Sequence, residues 1–162
     1  MNFEILDNRM RRYETIHDLC VLPEIYLVAR LDGRGFTRLT RERHPFAAPF
    51  DERFRDLMAG TVHHLMQCGF NFLYGYTQSD ELSLLFHPDD LTFDRKLRKL
   101  NSVLAAEASA KFSLLLGDLA TFDCRICELP TRNLVVDYFR WRQGGWLLVR
   151  LLSPAALPHN LA

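Results

Sequence analysis

The sequence has 162 residues, 20 basic against 20 acidic side chains, 48% hydrophobic and 12% aromatic residues, and four cysteines. That balance fills one ordinary domain with its own core, excludes a disordered chain, and excludes a histone-like nucleic-acid coat while leaving room for a local basic groove. The longest apolar run near the N-terminus, Ile25 to Ala29, is far short of the roughly 20 residues of a membrane span, Met1 to Arg12 is too charged for a secretory signal, and Cys20, Cys68, Cys124 and Cys127 are spaced as reduced thiols, so the expectation is a cytoplasmic protein without a membrane partner.

After a polar, helix-like start, Ile25-Tyr-Leu-Val-Ala-Arg-Leu31 is a continuous β-prone run that stops at Asp32-Gly-Arg-Gly35, the pattern of a buried strand ending in a tight turn. Pro45 and Pro49 bracket a loop. Beyond it Phe50, Phe54, Leu57, Met58, Val62, Leu65 and Met66 recur at helical spacing, with Asp51 placed to cap the helix and Gly69 to stop it. Phe70 to Tyr76 and Leu82 to Phe86 are rich in strand formers, and Gln78-Ser-Asp-Glu81 between them supplies the turn of a hairpin. From Asp94 to Leu116, Leu97, Leu100, Val103, Leu104, Ala108, Phe112 and Leu115 keep a helical period. Phe122 to Leu129 reads as a fourth strand, and Thr131 caps a last helix from Arg132 to Gln143. This order predicts an α+β, ferredoxin-like βαββαβ fold, an antiparallel sheet with helices on one face.

In that topology the end of the first strand lies beside the beginning of the third, so Asp32 and Asp80 meet at one sheet edge. Two converging carboxylates repel unless something positive lies between them. Mg²⁺ answers that need, because it takes one or two carboxylate or carbonyl oxygens and completes its shell with water and substrate phosphates. A pair of such ions roughly 4 Å apart activates an attacking hydroxyl and stabilises a leaving group in nucleotidyl transfer. The alternative is that both are ordinary turn residues. Arg30, Arg34, Arg38, Arg41 and Arg43 crowd the first turn, and Arg95-Lys-Leu-Arg-Lys99 opens the second long helix. These groups either hold a nucleoside triphosphate between them or form solvated faces.

Two further patterns carry less. Cys124 and Cys127 form a C-x-x-C, but a zinc site needs a second ligand pair, and the adjacent His63 and His64 point about 100° apart on a helix. Phe70, Phe72, Tyr74 and Tyr76 alternate onto one strand face, either as core or as an aromatic platform for RNA bases.

Arg30-Leu-Asp-Gly-Arg-Gly-Phe36, Tyr76-Thr-Gln-Ser-Asp-Glu81 and Asp137-Tyr-Phe-Arg-Trp-Arg-Gln143, with the Arg95-to-Phe112 helix and Phe122-Asp-Cys-Arg125, resemble the signature segments of the tRNA(His) guanylyltransferase family and its bacterial and archaeal relatives. The resemblance runs from about Met1 to Gln143 in matching order. It implies a polymerase-like palm over residues 1–143 that adds nucleotides in the 3′ to 5′ direction at a tRNA 5′ end. A 5′-monophosphorylated tRNA is activated with a nucleoside triphosphate, usually ATP; the 3′-hydroxyl of GTP then attacks the activated end, and pyrophosphate is finally removed. By the same resemblance Asp32 and Asp80 bind two Mg²⁺ ions with the Gly33 carbonyl as an added ligand, and Glu81 supports the carboxylate cluster. Asp32, Gly33, Arg34, Gly35, Phe36, Thr37, Ser79 and Asp80 contact the nucleotide, Lys96 and Lys99 match basic positions used near phosphates, and the chains assemble as dimers of dimers.

The pattern departs from the family in three ways. Phe46-Ala-Ala-Pro-Phe-Asp51 places Ala48 where many relatives carry a lysine. The segment after Gln143 is apolar rather than a polar helix with asparagines, and residues 144–162 form a short tail where relatives extend much further, which reads as a shifted frame or truncation. The alternatives to an active transferase are therefore a non-catalytic RNA-binding module on the same plan and an inactive remnant of the family.

Overall fold

The computed structural model describes residues 2–144 and 149–152. α1 (Phe3–Thr15) is capped by Asn2, whose side chain accepts the Glu4 N–H at 3.1 Å, and none of its residues is buried. It is followed by β1 (Tyr26–Arg34), the single turn α2 (Phe36–Arg38) running into a π-turn over Leu39–Arg43, and α3 (Glu52–Leu65). Next come β2 (Phe72–Gln78), β3 (Glu81–Phe86), a 3₁₀ turn over Thr92–Arg95, α4 (Leu97–Leu116), β4 (Thr121–Leu129), α5 (Arg132–Gln143) and β5 (Val149–Leu152). The sheet is antiparallel throughout in the order β4-β1-β3-β2-β5, so the first four strands carry the expected βαββαβ topology.

The expected caps form. The Asp51 carboxylate accepts the Arg53 and Phe54 N–H groups at 2.8 and 3.4 Å, and the Thr131 hydroxyl accepts the Leu134 N–H at 3.3 Å. Boundaries differ from the sequence reading, as at β2, which runs from Phe72 to Gln78 rather than from Phe70 to Tyr76. β1 does not stop before Asp32, because Asp32, Gly33 and Arg34 still pair with Asp123, Phe122 and Thr121 of β4. α4 starts at Leu97 rather than Asp94, because Phe93, Asp94 and Arg95 all adopt positive φ, which no helix tolerates. The stretch after Gly35, to which the sequence reading assigned no element, winds up, with Thr40 Oγ1 donating to the Phe36 carbonyl at 2.8 Å and the His44 N–H to Leu39 at 2.8 Å.

Strand alternation gives the sheet two different faces. Leu27, Ala29 and Leu31 of β1 and Leu82, Leu84 and Phe86 of β3 meet Met58, Val62 and Leu65 of α3 and Leu100, Leu104, Ala108 and Phe112 of α4 in the main core. The two crossover helices thus share one face. On the other, Val28 and Tyr76 pack with Val135, Tyr138 and Phe139, so α5 covers part of the face the crossover helices leave bare. The aromatics of β2 do not share a face as expected. A register shift between Phe72 and Tyr74 sends Phe72 into the main core with Phe70 and leaves Tyr74 and Tyr76 against α5.

Most of the apolar C-terminal segment 144–162 lies outside the described residues. The sequence reading placed no element there, yet the backbone of 149–152 adds β5 to the edge of β2, pairing Thr77 with Val149 and Tyr74 with Leu152.

The bend after β1 depends on two glycines for different reasons. A Cβ on Gly33 would sit 2.4–2.7 Å from ring atoms of Phe36. That ring is itself locked, with centroids 4.9 Å from Phe122 and 5.1 Å from Phe112. Gly35 has open space around it but adopts φ 71°. In denaturant titrations Gly33→Ala is expected to cost about 1–3 kcal/mol by overpacking, part of it recovered by Phe36→Leu. Gly35→Ala is expected to cost about 1–2 kcal/mol of backbone strain, which Phe36→Leu does not relieve.

Candidate active site at the end of the first strand

Asp32 faces Glu81 across the β1–β3 pair and Asp123 across β1–β4. The Gly33 N–H donates to the Asp80 carbonyl at 3.0 Å, which ties the end of β1 to the hairpin turn. Only Ser79 and Asp80 connect β2 to β3, with Ser79 at φ 54° and its hydroxyl donating to Asp80 Oδ1 at 3.1 Å. Asp32 and Asp80 therefore meet at one sheet edge, as the topology predicts. Asp32 is a strand residue and not part of a turn.

The charges around this edge are unevenly matched. Arg30, two residues before Asp32 and on the same face, donates to Asp32 Oδ2 at 3.0 Å and also binds Glu81 Oε2. Burial works against the Arg30 charge, and Glu81 and Asp32 outweigh it, so its pKa is raised. Arg142, from the last turn of α5, binds the same Oε2 of Glu81. Asp80 forms no ion pair among the described residues, and burial, reinforced by the charges of Asp32 and Glu81, raises its pKa. A carboxylate pressed between other carboxylates without a cation is what a bound metal ion would relieve.

Two cavities flank the hairpin turn, and Gln78, Ser79 and Asp80 form a wall of each. The larger, about 590 Å³, lies between that turn, Thr37 and Arg41, the loop through Ala48, and Asp51 and Arg55 at the start of α3. Ala48 brings no charge to it. Arg41, however, also lines it and has no ion-pair partner among the described residues. The smaller, about 340 Å³, is closed by Glu81, Trp141 and Arg142. Among the described residues no three His, Cys, Asp or Glu side chains form a ready-made metal cage. Two carboxylates and a main-chain carbonyl beside an open cavity suit Mg²⁺, which draws the rest of its shell from water and substrate phosphates.

The remaining expected site residues divide clearly. Gly33, Gly35, Thr37 and Ser79 surround the carboxylate edge, and Arg34 ends β1 as an exposed side chain. The Phe36 ring is buried in the main core, which leaves its backbone as the part facing the bend. Lys96 and Lys99 are not brought to this edge. Lys96 pairs with Cys20, and neighbouring Arg95 donates to the carbonyl of Ile25, at the opposite end of β1. Six strand residues separate that end from Asp32, roughly 20 Å at the usual rise. Cys124 and Cys127, three apart on a strand, face opposite sides of the sheet, and burial raises both thiol pKa values, Cys124 to about 12. They cannot chelate one zinc ion. His64 is bound to Glu107 at 2.7 Å. Sequence reasoning missed Arg142 and Asp123. The register could have found Asp123, whereas Arg142 depends on where α5 docks.

Comparison with known proteins supplies the family. Residues 7–130, more than half of the chain, match the family model for tRNAHis guanylyltransferase. The tRNA(His) guanylyltransferase of Debaryomyces hansenii is 34% identical over 134 residues, covering 76% of this chain and 50% of that protein. A bacterial tRNA(His) guanylyltransferase-like protein solved in complex with GTP superposes with a TM-score of 0.77 at 34% identity, covering 85% of this chain and 69% of that one. The tRNA(His) guanylyltransferase structure from Saccharomyces cerevisiae gives 0.75 at 26% identity, covering 82% and 62%. The chain spans about half the length of the curated relatives it matches. With more than half of its length matched by the family model and the fold shared with these structures, the chain belongs to the tRNA(His) guanylyltransferase family.

Proposed function

We propose that this chain is the catalytic palm of a nucleotidyltransferase that adds GTP, or another nucleoside triphosphate, in the 3′ to 5′ direction to the 5′ end of tRNA, after activation of that end with ATP. The observation that carries this reading is the meeting of Asp32 and Asp80 beside the 590 Å³ cavity, with the Gly33 N–H on the Asp80 carbonyl at 3.0 Å. Asp32, Asp80 and the Gly33 carbonyl are the residues that would hold two Mg²⁺ ions. Bound there, the ions would lower the pKa of an attacking hydroxyl and neutralise charge on the leaving pyrophosphate.

The chain's own residues do the rest by positioning and charge. Gly33 and Gly35 let the backbone bend close to a triphosphate. Arg41 in the cavity wall supplies positive charge where Ala48 supplies none, while Arg55 beside it is paired with Asp56 at 2.7 Å. Ser79 orients the Asp80 carboxylate through its hydroxyl at 3.1 Å. Lys96 and Lys99 take no part in this site. The aromatic-platform reading is disfavoured because Phe70 and Phe72 lie in the main core and Tyr74 and Tyr76 pack under α5. Four unpaired thiols fit a reducing cytoplasm.

Incubating 5′-monophosphorylated tRNA with ATP, GTP, Mg²⁺ and the chain is expected to give 5′ extension, reduced at least about 100-fold by Asp32→Ala or Asp80→Ala. No extension by the wild-type chain would favour the inactive-remnant reading, and extension unaffected by either variant would remove the mechanism.

The Asp80 shift makes a second prediction. A carboxyl whose folded pKa is raised stabilises the fold below its unfolded pKa, and that contribution is lost as pH rises through the folded value. Without divalent ions, Asp80→Asn should therefore melt at a higher temperature than wild type at pH 7, and the gap should close below pH ~3.9, the ordinary aspartate value. Mg²⁺ should raise the melting temperature of wild type but not of Asp80→Asn. An unchanged gap across this range would show that Asp80 is not held ionised at a cost.

A further inference from the structure

Glu81 stands directly opposite Asp32 on the same sheet face, yet it is only 9% exposed and its surroundings are quite different. One of its oxygens, Oε2, accepts from both Arg30 and Arg142. Arg30 in turn reaches Asp32 Oδ2 at 3.0 Å, so a continuous chain of charged hydrogen bonds runs from Asp32 through Arg30 and Glu81 to Arg142. Arg142 belongs to the last turn of α5, 61 residues further along the chain. The same helix is fastened to the sheet at two other points, where Tyr138 and Ser83 share a hydrogen bond at 3.0 Å and the Tyr76 hydroxyl donates to the Arg142 carbonyl at 3.1 Å. The Arg142 guanidinium lies 4.5 Å from the Trp141 ring, and both side chains line the 340 Å³ cavity that Asp80 also lines.

We propose that Glu81 is a positioning residue: it locks α5 over the carboxylate face and holds Arg142 in the wall of the smaller cavity, where the guanidinium meets a substrate phosphate. This rests on the nucleotidyltransferase reading of Asp32 and Asp80. A Glu81 oxygen shared by two guanidiniums is not free for a cation, and Arg142, at the far end of the charged chain and in the cavity wall, is the guanidinium placed to meet a phosphate. Docking α5 also uses this carboxylate, since without it two half-buried guanidiniums would repel and Arg142 would lose its acceptor. The phosphate is either that of the nucleoside triphosphate or that of the RNA 5′ end, and the two are told apart by which KM responds.

The test compares wild type, Glu81→Gln, Arg142→Gln, Arg142→Lys, the Glu81→Gln/Arg142→Gln double variant and Asp80→Asn. Direct Mn²⁺ titration by electron paramagnetic resonance is read beside steady-state kinetics with GTP and 5′-monophosphorylated tRNA varied in turn. Glu81→Gln and Arg142→Gln should each leave Mn²⁺ affinity within about threefold of wild type, whereas Asp80→Asn lowers it more than about tenfold. Each should lower kcat/KM about 10- to 100-fold, mainly by raising the KM of one substrate, and the double variant should be no worse than the poorer single. Arg142→Lys should recover part of the loss. A rise in the KM for GTP assigns Arg142 to the nucleotide, and a rise in the KM for tRNA assigns it to the RNA end.

The proposal is overturned if Glu81→Gln loses Mn²⁺ as Asp80→Asn does, if the two losses multiply in the double variant, or if neither KM moves. Wild type that binds no Mn²⁺ removes the nucleotidyltransferase reading itself, which is a separate result. If Glu81→Gln does not fold, Glu81→Met/Arg142→Met removes both charges together and should show the same retained Mn²⁺ affinity with raised KM.

Discussion

A central strand has little solvent-facing room in which to place charge, and β1 lies between β4 and β3 with helices above one face and α5 above part of the other. Leu27, Ala29 and Leu31 meet that constraint on one side with ordinary apolar packing. On the other, Val28 is followed at intervals of two by Arg30 and Asp32. A buried guanidinium costs several kcal/mol unless acceptors surround it, and Arg30 finds them in Asp32 on its own strand and Glu81 on the next. The polar edge of the sheet is therefore a consequence of the strand's alternation, and Asp32 and Glu81 serve Arg30 as acceptors whether or not a metal is bound.

Asp80 is the exception within that edge. Asp32 and Glu81 are satisfied by arginines, whereas Asp80 sits on a two-residue turn between two cavities, held by its backbone to Gly33 and by its side chain only to Ser79. Its raised pKa expresses the same fact: the fold holds this carboxylate where ionisation is disfavoured. The other acidic groups near the site are paired, so Asp80 is the carboxylate at this edge that lacks a cation among the described residues.

The sheet's length separates chemistry from other basic groups. α4 returns along the sheet so that its N-terminus lies at the start of β1, and Lys96 and Lys99 go with it. Their charge serves the local surface, where Lys96 lies 3.7 Å from Asp94 and Lys99 lies 6.0 Å from the Phe93 ring. The arginines that line the two cavities are instead Arg41 and Arg55 in the larger, Arg55 paired with Asp56 at 2.7 Å, and Arg142 in the smaller.

The strand order, the two long helices, the Asp51 and Thr131 caps and the meeting of Asp32 with Asp80 were legible in the sequence, because each rests on local pattern or on the one topology that periodicity permits. Gly33 and Gly35 were legible as a turn, although the reason Gly33 must be glycine, the Phe36 ring 2.4 Å from its missing Cβ, is a packing fact. Tertiary structure alone decided what lies on the second face. The register shift that splits Phe72 from Tyr74, the descent of α5 onto Val28 and Tyr76, and the capture of Glu81 by Arg30 and Arg142 depend on contacts between residues far apart in the chain. Alternation and capping act over a few residues and can be read from them; which arginine neutralises which buried carboxylate is settled only when the helices dock.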